Sequence, residues 1–210
     1  MRTSLTSLVF LISFYCSAQN SFPDGVYLSV EQLQNRTPAY NIKLDISYRN
    51  DEYQVAGIDS FNKNYFQNEV VAVAKNDSLY LNPGELNSHL HGDFSLAILK
   101  GTYIVFTAKM RQVEVNKYSR NGFIINNIVG YRTGPISNYI AIGWLSKSKP
   151  YAYILSLKTG NTKLLTTDYF EQRLSEHPDL QEQYENETIK QKADLYYKYF
   201  GLLNEKLEKK

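Results

Sequence analysis

The pattern of apolar and polar positions changes period once along the chain, near residue 167. Before that point the period is two. Ile42-Lys43-Leu44-Asp45-Ile46-Ser47-Tyr48 alternates strictly and puts Ile42, Leu44, Ile46 and Tyr48 on one face of a strand. Tyr53 to Ile58 is a weaker run, and Val70 to Ala74 is apolar at every position, which predicts a strand buried on both faces. Asn76-Asp77 is a turn, from which Ser78 to Asn82 returns. Phe94 to Leu99 is expected to pair with Tyr103 to Ala108 around Lys100-Gly101. Phe123 to Val129 and Tyr139 to Leu145 are further strands. The clearest hairpin joins Tyr151–Leu157 to Thr162–Leu165 through Lys158-Thr159-Gly160-Asn161, where Gly160 supplies a positive φ. Near the start, Pro23-Asp24-Gly25 is a turn and Val26 to Leu28 a strand. Ser29-x-x-Gln32 then reads as a capping box for a helix over 30–34 that stops before Thr37-Pro38.

After residue 167 the period becomes helical. Asp168 is expected to cap a helix over 169–175, and Pro178 to open the next. The third, about Glu187 to Glu208, carries Ile189, Ala193, Tyr196, Phe200, Leu203 and Leu207 on one face. Its length would be about 33 Å. Fewer than three heptads and Gly201 argue against a coiled-coil seam, so the stripe is expected to dock on its own β-domain. With about nine or ten strands spaced roughly 8–14 residues apart, pairing should be antiparallel. The predicted fold is mainly β (α+β): an antiparallel β-sandwich or open barrel followed by C-terminal helices packed on it.

The first residues carry an address. Arg2 precedes an apolar run from Leu5 to Tyr15, which as a helix would span about 16 Å, half a bilayer core. That is a signal-peptide core, and Cys16-Ser17-Ala18 fits a cleavage site before Gln19. The expected division is 1–18 signal peptide, 19–167 antiparallel β-domain and 168–210 helical segment docked on it. Lipidation of Cys16 would need a small residue before it, and Phe14-Tyr15 is bulky. Removal of Cys16, the only cysteine, leaves a mature chain with no disulfide, thiol nucleophile or thiolate metal site. The protein is therefore expected in the periplasm or outside the cell.

A net charge of +2 on 210 residues leaves no large basic field for nucleic acid. No later stretch approaches the length of a membrane-spanning helix. Two residue types are over-used, with 18 Tyr and 18 Asn. Both suit pleated surfaces and turns, and both can stack on or hydrogen-bond to glycans or peptides.

Chemistry-bearing motifs are few. His89-Leu90-His91-Gly92-Asp93 would put three metal-ligating side chains on one face if extended, but Gly92 and the preceding Pro83-Gly84 predict a loop. Ser146-Lys147-Ser148-Lys149 and Lys158-Thr159-Gly160 mimic the S-x-x-K and K-T-G pair of serine β-lactamases, yet both fall in neighbouring turns and no S-D-N lies between them. No P-loop, dinucleotide fingerprint or zincin motif occurs. Asn35, Asn76 and Asn186 head N-x-[ST] triplets. No catalytic, cofactor-binding or metal residue is assigned, and no cofactor is expected.

The run Phe22-Pro23-Asp24-Gly25-Val26-Tyr27-Leu28-Ser29-Val30-Glu31-Gln32-Leu33 with Thr37-Pro38 resembles uncharacterised exported proteins of Bacteroidetes-type bacteria. Asp77-Ser78-Leu79-Tyr80-Leu81-Asn82, His177-Pro178-Asp179-Leu180 with Tyr184, and Lys198-Tyr199 with Leu202-Leu203-Asn204 are similar to the same group. The resemblance implies export and a bacterial source, and brings no activity with it.

Two functions fit the sequence. The preferred one is a non-enzymatic binding or scaffold module of the cell envelope, monomeric, with a glycan or peptide as its partner. The rival is a small secreted hydrolase whose carboxylates, Asp45 with Asp59 or Glu69, meet only in the fold. A pocket with convergent acids would favour the second; an exposed aromatic patch would favour the first.

Overall fold

The computed structural model describes residues 21–49, 52–57, 63–111, 128–130, 139–141, 150–188 and 193–209. Strand β1 (Gly25–Tyr27) leads into helix α1 (Val30–Gln34) and the hairpin of β2 (Leu44–Arg49) and β3 (Glu52–Gly57). Helix α2 (Lys63–Glu69), β4 (Ala72–Lys75), β5 (Ser78–Leu81), the single turn α3 (Pro83–Leu86), β6 (Leu90–His91), β7 (Ser95–Leu96) and β8 (Tyr103–Met110) follow. Then come β9 (Ile128–Gly130), β10 (Tyr139–Ala141), β11 (Pro150–Ser156) and β12 (Thr162–Leu164). Helices α4 (Thr167–Ser175), α5 (Pro178–Glu185) and α6 (Ala193–Glu208) end the chain.

Every described strand pair is antiparallel. One sheet runs β1-β4-β5-β7, a second runs β10-β9-β11-β8-β6 with β12 also on β11, and β2-β3 stand as a third. The period of two then sorts side chains into three cores. Ala72 and Ala74 of β4 and Leu79 and Leu81 of β5 meet Ile104, Phe106, Ala108, Tyr151, Tyr153 and Leu155 between the two large sheets. Val26, Val73 and Tyr80, on the other face of the first sheet, pack under the β2-β3 hairpin and α2 with Leu44, Val55 and Phe66. Val105, Ala152 and Ile154, on the outer face of the second sheet, pack under α4, α5 and α6. The molecule is a sandwich with a hairpin on one outer face and helices on the other, which matches the predicted fold class.

The helical stripe docks as its period implies. Tyr196, Phe200 and Leu203 are buried against the β8–β11 face, and Tyr199 joins them. Phe170 of α4 is the hub, with ring centroids of Tyr196, Tyr184, Phe200 and Tyr199 between 4.4 and 6.4 Å away. Much of the tyrosine excess is thus core: Tyr27, Tyr151, Tyr153, Tyr184, Tyr196 and Tyr199 are all buried.

Local signals worked where one residue dictates the geometry. The Ser29 side chain accepts from Gln32 N–H, and the Gln32 side chain accepts from Leu28 N–H at 2.7 Å, a capping box displaced by one residue. Asn76 and Asp77 both have positive φ, the signature of a two-residue type I′ hairpin turn. Gly160 sits at φ 70 between β11 and β12.

Other expectations need correction. Thr166, not Asp168, caps α4: its hydroxyl accepts from Tyr169 N–H, and Asp168 lies in the first turn. The 40–166 region is not all strand, because α2 buries Phe66 and α3 uses Pro83 after an Asn82 cap. The segment 94–99 does not form one strand on β8. Phe94 bridges Tyr53, Ser95–Leu96 pairs with β5, and only Leu99 bridges Val105. Helix α6 begins at Ala193, with Glu187 and Thr188 outside it. Residues 1–20, 112–127, 131–138 and 142–149, with the cleavage site and Ser146–Lys149, lie outside the described residues.

Burial has a consequence for alkaline stability. It pushes the Tyr27 hydroxyl up to about 12, and Tyr199, buried and facing Glu187, also to about 12. Tyr184 and Tyr196 are raised too, mainly by burial. In the unfolded chain these groups ionise near 10, so between pH 10 and 12 the native state binds more protons than the unfolded one. Their contribution is intact below pH 10 and falls as pH rises. Urea midpoints should therefore drop through that window, with tyrosinate absorbance rising alongside loss of helical circular dichroism. A midpoint that climbs with pH there contradicts this account.

Candidate functional site

Three places gather chemistry-bearing side chains. The first is a tyrosine ladder. In the β2-β3 hairpin Tyr48 pairs directly with Tyr53, and their ring centroids are 4.9 Å apart. Tyr53 in turn packs on Tyr80 of β5 at 5.0 Å. Tyr80 is paired with Leu96, which is exposed. The ladder starts from half-buried Tyr80 and Tyr53 and ends at Tyr48, 51% exposed. Period two explains it: Leu44, Ile46 and Tyr48 share one face, and only the hairpin's inner end lies over the core.

The ladder rests on a polar brace. Glu52 Oε1 accepts from Lys109 Nζ at 2.9 Å, and Glu52 Oε2 accepts from Asp93 N–H at 3.3 Å. Asp93 Oδ1 accepts from Gln67 Nε2 at 2.8 Å. These contacts tie hairpin, second sheet and α2 together and fix Glu52, the chain neighbour of Tyr53 in the middle of the ladder.

The second place is the predicted His-x-His segment. His91 lies in β6, His89 precedes it, and Gly92 has φ 121. This left-handed turn of the backbone breaks the strand before Asp93, so the three side chains do not share a face. Among the described residues no group of three or more His, Cys, Asp or Glu is placed to hold a metal ion.

His89 instead borders a cleft of about 230 Å³ with Asn87, Met110, Tyr153, Thr162 and Leu164. Asn87 shapes its rim: its Oδ1 accepts from His89 N–H at 2.9 Å, an Asx turn. Arg111 pins the same turn through its N–H on His89 O at 2.8 Å and its Nε on Leu90 O at 2.9 Å.

The third place is a cleft of about 610 Å³ lined by α4 and α5, with Glu171, Leu174, Gln181, Tyr184, Glu185 and Asn186. It holds two carboxylates, though not those expected. Asp45 is exposed on β2 and Glu69 exposed at the end of α2, and neither lines this cleft. Asp59 lies outside the described residues.

Lys158, Thr159 and Gly160 form the β11–β12 turn, where Gly160 N–H donates to Ser156 O at 2.8 Å. Asn35, Asn76 and Asn186 are exposed, two as helix C-caps and one in a hairpin turn, so backbone geometry accounts for them. Sequence reasoning saw Tyr48 only as a strand-face residue and missed Asn87, Met110 and Thr162 as cleft neighbours. Nothing local signals that partnership, since 75 residues separate Asn87 from Thr162.

No helix among the described residues is long and apolar enough to cross a membrane. No curated protein and no solved structure matches the chain. One family does, over residues 25–207, which runs from the first residue of β1 to the last turn of α6. The chain therefore belongs to the Family of unknown function (DUF6563).

Proposed function

We propose that this protein is an exported, non-enzymatic binding module of the cell envelope in a Bacteroidetes-type bacterium, and that the tyrosine ladder is its contact surface for glycans. The observation that carries the reading is the ladder itself. Three rings in van der Waals sequence end in a tyrosine that is half exposed, and an exposed leucine pairs with the ring at the other end. Such faces stack on the apolar faces of sugar rings while the hydroxyls hydrogen-bond to the sugar. The brace through Glu52 keeps the strand that carries Tyr53 in one geometry, which lowers the entropy lost on binding. Export rests on the apolar run from Leu5 to Tyr15 and the cleavage pattern ending at Ala18.

Two measurements test this. N-terminal sequencing of the exported protein should begin at Gln19; a lipid on Cys16 would replace the soluble module with an anchored one. On a glycan array the wild-type protein should retain envelope polysaccharides, and Tyr48→Ala should lose about tenfold or more in affinity with unchanged circular dichroism. Equal retention of Tyr48→Ala and wild type sinks the assignment of the surface.

The hydrolase reading is supported by one feature, the pair Glu171 and Glu185 in the α4–α5 cleft. Glu171→Gln abolishing a measured hydrolysis of any envelope polymer would favour it over the binding module.

A further inference from the structure

The β2-β3 hairpin has one spent edge and one open edge. On the spent side, Tyr53 N–H donates to Phe94 O at 3.0 Å, and Phe94 N–H donates to Tyr53 O at 2.9 Å. The backbone of Tyr53 therefore faces away from β2, so Tyr48 and Tyr53 form a pair without ladder hydrogen bonds. Bonded and unbonded pairs alternate along an antiparallel ladder. Ile46 with Val55 and Leu44 with Gly57 are thus unbonded as well, and the N–H and C=O groups of Leu44, Ile46 and Tyr48 point to the outer edge of β2. Lys75 covers one end of that edge, with its Nζ donating to Leu44 O at 2.6 Å. Among the described residues β2 pairs with β3 alone, and the N–H and C=O of Ile46 meet no partner. An open row of this kind is a template for another strand.

The sequence of this edge is complementary to its own reverse. Antiparallel pairing of Asp45-Ile46-Ser47-Tyr48-Arg49 with a second copy, about a two-fold axis at Ser47, sets Asp45 against the partner's Arg49 and Arg49 against the partner's Asp45. It sets Ile46 against the partner's Tyr48, a β-branched and aromatic pair. Asp45 and Arg49 are both exposed, and neither has an ion-pair partner among the described residues. Neighbouring registers do worse. An axis at Asp45 would face two carboxylates directly, and an axis at Ile46 would face Lys43 with Arg49. Both also need the Leu44 carbonyl, which Lys75 already takes. The axis at Ser47 has neither fault.

We infer that the outer edge of β2 is a dimer interface, at which two copies of this chain join their hairpins into one four-stranded antiparallel sheet. The interface is isologous and closes after two copies. Each chain keeps its own three cores, so folded monomers associate and neither needs the other to fold. Paired strands of five residues bury little area, which sets a weak affinity, with Kd of about 10–100 µM. Tyr48 of both copies then lies on one face beside the two-fold axis, and the two tyrosine ladders meet there. The inference does not depend on what the ladder binds. It replaces the monomer expected from the sequence.

Charge reversal tests the register without touching the core. Sedimentation velocity is run on the mature chain from about 1 µM to about 500 µM, and wild type should pass from monomer to dimer across that range. Asp45→Arg alone and Arg49→Asp alone each set like charges against each other twice, so each should weaken the dimer about tenfold or more. The two single variants mixed together should pair with each other, because every reversed charge then meets its opposite. Asp45→Arg with Arg49→Asp in one chain should dimerise like wild type. Circular dichroism of all variants should match wild type, since both side chains are exposed. A wild-type chain that stays monomeric throughout overturns the inference and leaves the edge to a strand of another protein. A dimer that survives both single reversals, or that the mixture fails to restore, overturns it as well. Dimerisation is read with no glycan present, so its failure leaves the ladder's role standing, and a failed glycan array leaves the dimer standing.

Discussion

Phe200→Ala is expected to lower the unfolding free energy by about 3–5 kcal/mol, the range for a fully buried aromatic. The ring is 1% exposed. It stands edge-on to Tyr103 of β8 at 5.7 Å and to Phe170 of α4 at 5.6 Å, so its loss opens a void between sheet and helices that neither neighbour can fill without moving the other. Leu203→Ala, one turn on, should cost about 2–5 kcal/mol for the same reason. Both effects should be independent of protein concentration, because the partner surface is Val105, Ala152 and Ile154 of the same chain. Exposed Glu205→Ala on the same helix should stay within about 0.5 kcal/mol. Denaturant titrations at two protein concentrations decide the matter. A Phe200→Ala variant that melts like wild type while a native dimer dissociates would move the stripe to an intermolecular seam.

That docking was legible because the stripe repeats over about four turns of one helix, and repetition averages out single exceptions. The hairpin turns were legible for the opposite reason: Asn76-Asp77 and Gly160 each carry a backbone requirement that few residue types meet. What the sequence hid lies between those scales. Helix α2 is seven residues long and fully buries Phe66, too short for a period to show. The segment 94–99 alternates well enough for one strand. Its residues are instead shared among β3, β5 and β8, and only tertiary packing decides which edge each one takes. The tyrosine ladder was half legible. Tyr48 on the face of Ile42 and Leu44 follows from period two, whereas its contact with Tyr53, and Tyr53's with Tyr80, needs the hairpin register and the stacking of two sheets. The cleft beside His89 left no local trace, since its polar rim comes from a turn before β6 and from a strand at the far edge of the same sheet.

The C-terminal helix is also fastened by a polar contact, and its loss should be nearly as costly as that of Phe200. Asn204 is 2% exposed. Its Oδ1 accepts from Tyr103 N–H at 2.7 Å and its Nδ2 donates to Tyr103 O at 2.8 Å. The side-chain amide thus pairs with one residue of β8 as a neighbouring strand would, and it satisfies both backbone groups at the start of that strand. Asn204→Ala leaves both without their partner and should cost about 2–4 kcal/mol, from two lost bonds and incomplete resolvation. Gly101 completes the arrangement. A Cβ there would sit 2.5 Å from Asn204 Cγ and 2.6 Å from its Nδ2, closer than any real contact. The amide cannot swing aside without releasing Tyr103, so Gly101→Ala should cost about 1–3 kcal/mol as an overpacked site. Once Asn204 is alanine, most of that clash is gone. The double variant should therefore be less destabilised than the sum of the two singles, by about 1 kcal/mol or more, while distant pairs add within about 0.5 kcal/mol. Urea titrations of the four proteins complete the cycle, and strict additivity would mean that Asn204 does not hold β8 in the way described.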